Sequence, residues 1–414
     1  MKILFVGSLV SGESMEYLNS VSKKKASVAP VNYETMLIRG LSQAGAQVEC
    51  LSIPPVAAYP GSRLMFMPDK MEKLDGRVDL HWLPFCNIQG LKQSSIERTV
   101  RKHLKNWLEE NKNEPDKLVF LYSIYPPYAE PSIELCRAYN CHVSTVITDL
   151  PEYMYTWRGG NGLARKLNEM MRDRMMRIQD QCDSYVLFTE KMAERMGVEH
   201  KPFMVSEGFS DVSIFDNIEE MEKYSTKTVI YAGNLSRLYG IRALVDGFMQ
   251  VQGEYELHLY GVGEDEEYIK NAAEKDKRIK FFGRVSRDEV LRALKRSHLI
   301  VINKPTADDY SNYSFSSKML ECIVSGTPVL TTKVGGMPEE YHEHVYIIEN
   351  ESIDGIANAL KLALEKECRE LSTYGEQAAC FAKSSKNYSV MTKQIFEFLH
   401  SVLHEDNGNE NYTD

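Results

Sequence analysis

Between Asn312 and Leu330 the chain reads NYSFSSKMLECIVSGTPVL, and this stretch admits few folds. Hydroxyls at Ser314, Ser316 and Ser317 can accept from the N–H groups that a first helical turn leaves unpaired, which predicts a helix from about Ser316. Met319, Leu320, Ile323 and Val324 recur at helical spacing and give it one apolar face. Ser325-Gly326-Thr327-Pro328 stops it, and Val329-Leu330 opens a buried strand. Such a helix points free N–H groups and a partial positive charge at whatever lies above the sheet. Lys318 adds a full charge in the same turn, and Glu321 follows roughly one turn later. A nucleoside diphosphate suits this arrangement, its phosphates at the helix tip and its ribose hydroxyls donating to the carboxylate.

The rest of the chain alternates strand and helix signals in two halves. Lys2 to Val6 is a buried strand ending in Gly7-Ser8. The continuation GSLVSG lacks the G-x-G-x-x-G spacing of a dinucleotide site. Glu13 to Pro30, with Lys23, Lys24 and Lys25, reads as a polar mobile loop whose lysines form a solvated tip. Tyr33 to Gln43 has helical period and Gly45-Ala46-Gln47-Val48 turns into a second strand. Further strands are expected at Val78–Leu83, Leu118–Tyr122 and Val143–Thr148, with a long amphipathic helix around Arg98 to Glu110. Ligands gather beyond the carboxyl ends of such strands, which singles out Tyr125 after one and Asp149 after another. Asp149 either faces a ligand there or caps the next turn. A second half starts at Thr228 with Val-Ile-Tyr-Ala-Gly-Asn, where Gly233 lets backbone approach a phosphate. Strands are expected again at Glu256–Tyr260, Ile279–Phe282 and Leu299–Asn303, and a last helix at about Tyr388 to Leu403.

Ser-Lys-Met-Leu-Glu followed by Ser-Gly-Thr-Pro-Val resembles the donor-nucleotide signature of family 4 glycosyltransferases, retaining enzymes of the GT-B fold. The resemblance covers nearly the whole chain, strongly in the C-terminal half and loosely in the N-terminal half. It implies an α/β protein with two Rossmann-like domains facing across a cleft: 1–208 for the acceptor, 209–387 for the donor, and a C-terminal helix, 388–404, crossing back to the first domain. It implies that Glu321 holds the donor ribose, that Gly283-Arg284-Val285 contacts the base, and that Gly233, Asn234, Ser314, Phe315, Ser316, Ser317 and Lys318 surround the diphosphate. The family's first motif Glu is replaced by Tyr313, and its Arg and Lys near the second glycine loop by Asn234 and Tyr239; Arg237 is the substitute cation. The reading is a metal-independent glycosyltransferase with Lys318, Arg237 and Asp149 as catalytic groups and Gly7, Ser8, Tyr125 and Asp149 on the acceptor side. A degenerate binding subunit and a sugar-nucleotide epimerase are the competing readings.

No Asp-x-Asp motif occurs, and no cofactor is expected beyond a nucleoside-diphosphate sugar, UDP-linked by preference, with a glycan or lipid-linked acceptor. The resemblance points to bacterial surface polysaccharide or glycoconjugate synthesis. The 414 residues carry a formal net charge of -10, which argues against general nucleic-acid binding, and eight Cys without metal-ligand spacing, which suits a reducing cytoplasm. Cys136 and Cys141 are the nearest pair. No apolar run reaches the ~20 residues of a membrane span. Tyr153 to Gln181, with Trp157, Arg158, Arg165, Lys166, Arg172, Arg174 and Arg177, reads either as a basic amphipathic surface for the inner face of an anionic membrane or as a packed helix with a solvated face. The tail 405–414 is too polar to order itself.

Overall fold

Short runs of consecutive apolar residues, such as KILFVG and LIVI, suit strands covered on both faces, and these runs become the centres of two parallel sheets. The computed structural model describes residues 1–23, 25–154, 162–216, 218–219, 221–307 and 309–405. Lys24, Trp157, Arg158 and the tail beyond Glu405 lie outside them. The chain divides into two compact units, Met1–Ser206 with Tyr388–Asp414, and Glu207–Asn387.

The first unit holds β1 (Lys2–Gly7), β2 (Gln47–Ser52), β3 (Phe66–Met67), β4 (Lys70–Leu74), β5 (Val78–Trp82), β6 (Phe85–Cys86), β7 (Lys117–Tyr122), β8 (His142–Ile147), β9 (Ser184–Leu187) and β10 (Phe203–Val205). Its main sheet runs β10-β9-β8-β7-β1-β2-β5-β4 and is parallel except where β4 returns antiparallel to β5. Around it lie α1 (Gly12–Ser20), α2 (Ala29–Gln43), α3 (Lys92–Glu110), α4 (Pro126–Ala138), α5 (Gly162–Ile178) and α6 (Lys191–Met196). The expected loop after Ser11 is a helix for nine residues. The Ser11 hydroxyl accepts from the Ser14 N–H at 3.3 Å, and Met15 and Leu18 are buried three residues apart. Polar composition concealed a narrow apolar stripe.

The second unit holds β11 (Lys227–Asn234), β12 (Tyr255–Val262), β13 (Ile279–Gly283), β14 (Leu299–Ile302), β15 (Val329–Thr332) and β16 (Tyr346–Ile348). Their order, β13-β12-β11-β14-β15-β16, all parallel, is the doubly wound pattern whose direction reverses beside its first strand. On one face α7 (Ile241–Gln250) and α11 (Ile353–Leu364) pack Leu244, Phe248 and Leu360 into a core that includes Val229, Leu257 and Val301. A separate cluster joins α9 (Arg287–Arg296), α10 (Ser317–Val324) and α12 (Cys368–Ser385) through Leu291, Met319, Leu320, Ile323 and Ala378. The final helix, α13 (Tyr388–Glu405), groups with the first unit and lies on α2 so closely that a Cβ on Gly40 would stand 1.9 Å from Thr392 Oγ1. Among the described residues no helix is long and apolar enough to cross a membrane.

The chain passes between units after Ser206 and again after Asn387, and within the second unit these two ends are tied together. Lys386, buried, places Nζ 2.7 Å from Glu207 Oε1 and 2.5 Å from Glu340 Oε1, and the Tyr341 hydroxyl donates to Glu207 at 2.7 Å. Burial alone would lower the Lys386 ammonium; the Glu207 and Glu340 carboxylates outweigh it and hold it above its ordinary value.

Candidate functional site

In the second unit a cavity of about 420 Å³ opens at the carboxyl ends of β11 and β12, where a doubly wound sheet binds its ligands. Its floor is backbone. Gly261, at φ +130°, comes so near β11 that a Cβ there would lie 1.8 Å from the Gly233 carbonyl; just outside the cavity, a Cβ on Gly263 would lie 2.1 Å from the Leu235 carbonyl. A Cβ on Gly233 itself would meet the Tyr231 hydroxyl at 3.2 Å and Lys318 Nζ at 3.3 Å. The strand that ends in Gly-Asn therefore has a glycine where the α10 lysine needs room.

The helix α10 supplies the polar side. Ser316 is its N-cap residue, in extended conformation, but its hydroxyl makes no capping bond. Lys318 extends to the end of β11, with Nζ 3.4 Å from the Ala232 carbonyl. Glu321, one turn on, is half-buried, and its carboxylate meets the Arg287 guanidinium at 3.3 Å. Arg284, Val285, Val290 and Cys322 complete the wall. Burial and the neighbouring Glu321 charge push the Cys322 thiol up to about 12, so it stays protonated and serves as packing.

Among the other residues expected near a donor, Gly233, Asn234, Arg284 and Val285 line this cavity with Lys318 and Glu321. Ser314 and Phe315 are buried: the Ser314 hydroxyl accepts from Lys304 Nζ at 2.5 Å, and the Phe315 ring packs against Tyr341 at 5.0 Å. Ser317 begins the helix, and its side chain lies outside the described atoms. Arg237 is exposed on a 3-10 turn, Arg237–Tyr239, and is not part of the wall. The arginine that sequence reasoning missed is Arg287. Its signal was Ser286-Arg-Asp-Glu289, a helix start in which the Ser286 hydroxyl accepts from the Glu289 N–H at 3.2 Å, placing Arg287 on the first turn of α9.

In the first unit Gly7 and Ser8 follow β1, and their partner comes from α2. Glu34 is buried completely and accepts the Ser8 N–H at 2.8 Å on one oxygen and the Ser8 hydroxyl on the other. A Cβ on Gly7 would stand 2.4 Å from Glu34 Oε2. Gly7 makes room for this carboxyl. Burial pushes Glu34 up to about 8, against the hydrogen bonds from Ser8 and the Leu9 N–H. Beside it, burial and then the Glu34 charge push the Tyr122 phenol up, while its bond with Thr148 acts the other way. The Thr148 hydroxyl reaches Asp149 at 3.5 Å. Ser123 follows at φ +61°, and Tyr125 is the N-cap residue of α4. Gly7, Ser8, Tyr125 and Asp149 thus all stand at the carboxyl ends of neighbouring strands of one sheet.

Residues 215–379 match the family model described as Glycosyl transferases group 1. That segment is similar to a group 1 glycosyltransferase domain. It contains every residue of the cavity wall described above. A curated relative, N-acetyl-alpha-D-glucosaminyl L-malate synthase of Bacillus anthracis, is 25% identical over 191 residues, 44% of this chain and 47% of that protein; the match thus spans about half of each. Among solved structures, sucrose-phosphate synthase of Thermosynechococcus elongatus superposes with a TM-score of 0.63 at 15% identity, covering 98% of this chain and 100% of that one. HepE of Anabaena in complex with UDP gives 0.59 at 15% identity, covering 97% and 100%, and the same protein is similar in its complex with UDP-glucose. At these identities the neighbours establish the architecture: the whole chain has the GT-B fold, and the segment that matches the group 1 model lies within its second unit.

Proposed function

We propose that this protein is a retaining, metal-independent glycosyltransferase of family 4 type that moves a sugar from a nucleoside diphosphate, UDP by preference, to an acceptor hydroxyl. The carrying observation is the trio at the glycine floor: Gly233 beneath Lys318 Nζ, and Glu321 one helical turn along α10. A diphosphate at the N-terminus of α10 meets unpaired N–H groups, the helix dipole and the Lys318 ammonium, and the ribose falls beside Glu321. These fixed positive groups, with Arg284 and Arg287 on the wall, stabilise the charge that develops on the departing diphosphate, the electrostatic role a divalent ion fills in other transferases. Arg237, exposed outside this wall, is the proposed further cation, reaching the diphosphate from the turn after β11. One structural neighbour, HepE, is solved with UDP and with UDP-glucose, which favours a uridine donor.

On this reading 209–387 is the donor half and 1–208 the acceptor half, in which Gly7, Ser8 and Tyr125 border the acceptor and Asp149 orients its hydroxyl. The acceptor is a glycan or lipid-linked sugar of polysaccharide or glycoconjugate synthesis, in the cytoplasm, with α5 as the side that rests on an anionic membrane. Leu167, Met170 and Met176 of α5 are exposed among its basic residues, which supports that placement.

The test is nucleoside-diphosphate release from UDP-, GDP- and dTDP-sugars in the presence of EDTA, comparing the native protein with Glu321→Ala. Release from one donor, lost in the variant, supports the reading and names the donor. If no donor is turned over and none binds by calorimetry, the reading fails; binding without turnover or release, acceptor supplied, identifies the protein as a binding subunit.

A further inference from the structure

Helix α4 ends in a turn that brings two thiols together. Tyr139 is its C-cap residue, its N–H bonding the Leu135 carbonyl at 3.0 Å; Asn140 follows in the left-handed region at φ +48°; and the Cys141 N–H returns to the Cys136 carbonyl at 2.9 Å. This is a Schellman closure, and its side-chain contact joins the residue three from the helix end to the second residue beyond the cap. Here those two residues are Cys136 and Cys141. The Cys141 thiol lies 3.8 Å from the His142 carbonyl and 4.0 Å from the Lys117 carbonyl. The 2.9 Å backbone bond bounds the Cα atoms of Cys136 and Cys141 to within roughly 7 Å, the range a disulfide spans.

Both residues line a cavity of about 280 Å³ at the amino ends of β7 and β8, with Lys117, His142 and Asp183. Buried thiols are inert without access, and this opening supplies it. The neighbouring Cys136 thiol and then the Lys117 ammonium hold Cys141 below its ordinary value against burial. The neighbouring Cys141 thiol and burial push Cys136 far up, so Cys141 is the one of the two that ionises first. Cys182 is buried nearby but does not line the cavity. Among the described residues no group of three His, Cys, Asp or Glu is arranged to hold a metal.

We propose that Cys136 and Cys141 are a peroxide-reactive dithiol that closes reversibly to a disulfide across the end of α4. The Cys141 thiolate attacks hydrogen peroxide: an S–O bond forms, the O–O bond breaks, and the departing hydroxide takes a proton to become water. The Cys136 sulfur then attacks the Cys141 sulfur: the S–S bond forms, the S–O bond breaks, and hydroxide leaves with the Cys136 proton as a second water. Two thiols lose two electrons in all, and one peroxide is reduced to two waters.

The experiment uses the full-length protein with Cys368→Ser and Cys380→Ser, which removes the two exposed thiols and leaves six of the eight. Peroxide is added, remaining thiols are alkylated, and the mass is read. Six alkylated thiols are expected to fall to four and return to six with dithiothreitol. Trypsin, cutting after Arg137 between the pair, should yield two peptides joined through Cys136 and Cys141. In a further Cys141→Ala or Cys136→Ala variant, whichever is soluble, no joined peptides form. Six thiols that persist, or a bridge from Cys136 to Cys182, overturn the proposal; this readout needs neither donor nor acceptor.

Discussion

Replacing Glu34 with Gln should change how the stability of the first unit depends on pH. The Glu34 carboxyl titrates near 4.5 in an open chain and at about 8 in the folded protein, because it is buried completely. The folded state therefore keeps a proton that the unfolded state releases, so stability falls as pH rises. The contribution is fully present below about pH 4.5 and is lost by about pH 8. At about 1.4 kcal/mol per pH unit the whole span is worth roughly 5 kcal/mol, of which roughly 3 kcal/mol falls between pH 5 and pH 8. A Gln amide keeps the geometry, with its oxygen accepting the Ser8 N–H and its nitrogen donating to the Ser8 hydroxyl, and it does not titrate. Trp82 and Trp107 are buried in the first unit, and no tryptophan occurs in the sequence of the second, so fluorescence reports unfolding of the first. Urea titrations at pH 5, 6, 7 and 8 should show Glu34→Gln gaining steadily on the native protein, by roughly 3 kcal/mol at the alkaline end. A difference that stays constant across that range would refute a protonated Glu34.

Other changes probe the second unit. Glu321→Ala should weaken UDP binding about 10- to 100-fold by calorimetry, the value of one or two hydrogen bonds to a charged group, with little effect on the melting temperature. Lys386→Met leaves Glu207 buried without its cation and should cost about 3–5 kcal/mol in urea unfolding, whereas pairing it with Glu207→Leu should recover much of that loss. Gly40→Ala should destabilise the first unit by more than about 2 kcal/mol, because its methyl overlaps Thr392 Oγ1; the double variant with Thr392→Ser should remain unstable and that with Thr392→Gly should recover, as read by tryptophan fluorescence.

Much of the second unit was legible because its determinants are local. A run such as TVIYAGN states its strand and its glycine within seven residues, and α10 declares its start, apolar face and stop within thirteen. What escaped depends on residues distant in sequence. Glu34 meets Ser8 from 26 residues away, and before folding it is one carboxylate on a helix that otherwise reads as amphipathic. Glu207 and Lys386 stand at opposite ends of their unit. The strand β4, KMEKL, carries three charges in five residues and gains its identity only from the antiparallel register with β5. Ser314 and Phe315 show the converse: the motif fixes their place in sequence, but whether a side chain faces ligand or core is decided by Lys304 and Tyr341.

The glycine floor of the cavity inverts the usual logic of an alanine scan. Truncation normally deletes contacts, yet at Gly233 and Gly261 alanine adds an atom where ammonium or carbonyl groups already stand within 1.8–3.3 Å. A survey that shortens side chains would pass over this backbone floor and report only the rim of Arg284, Arg287, Lys318 and Glu321. Diversity within such a pocket is accordingly confined to its rim, where residues can be exchanged one at a time, while the floor changes only with a shift of two strands together.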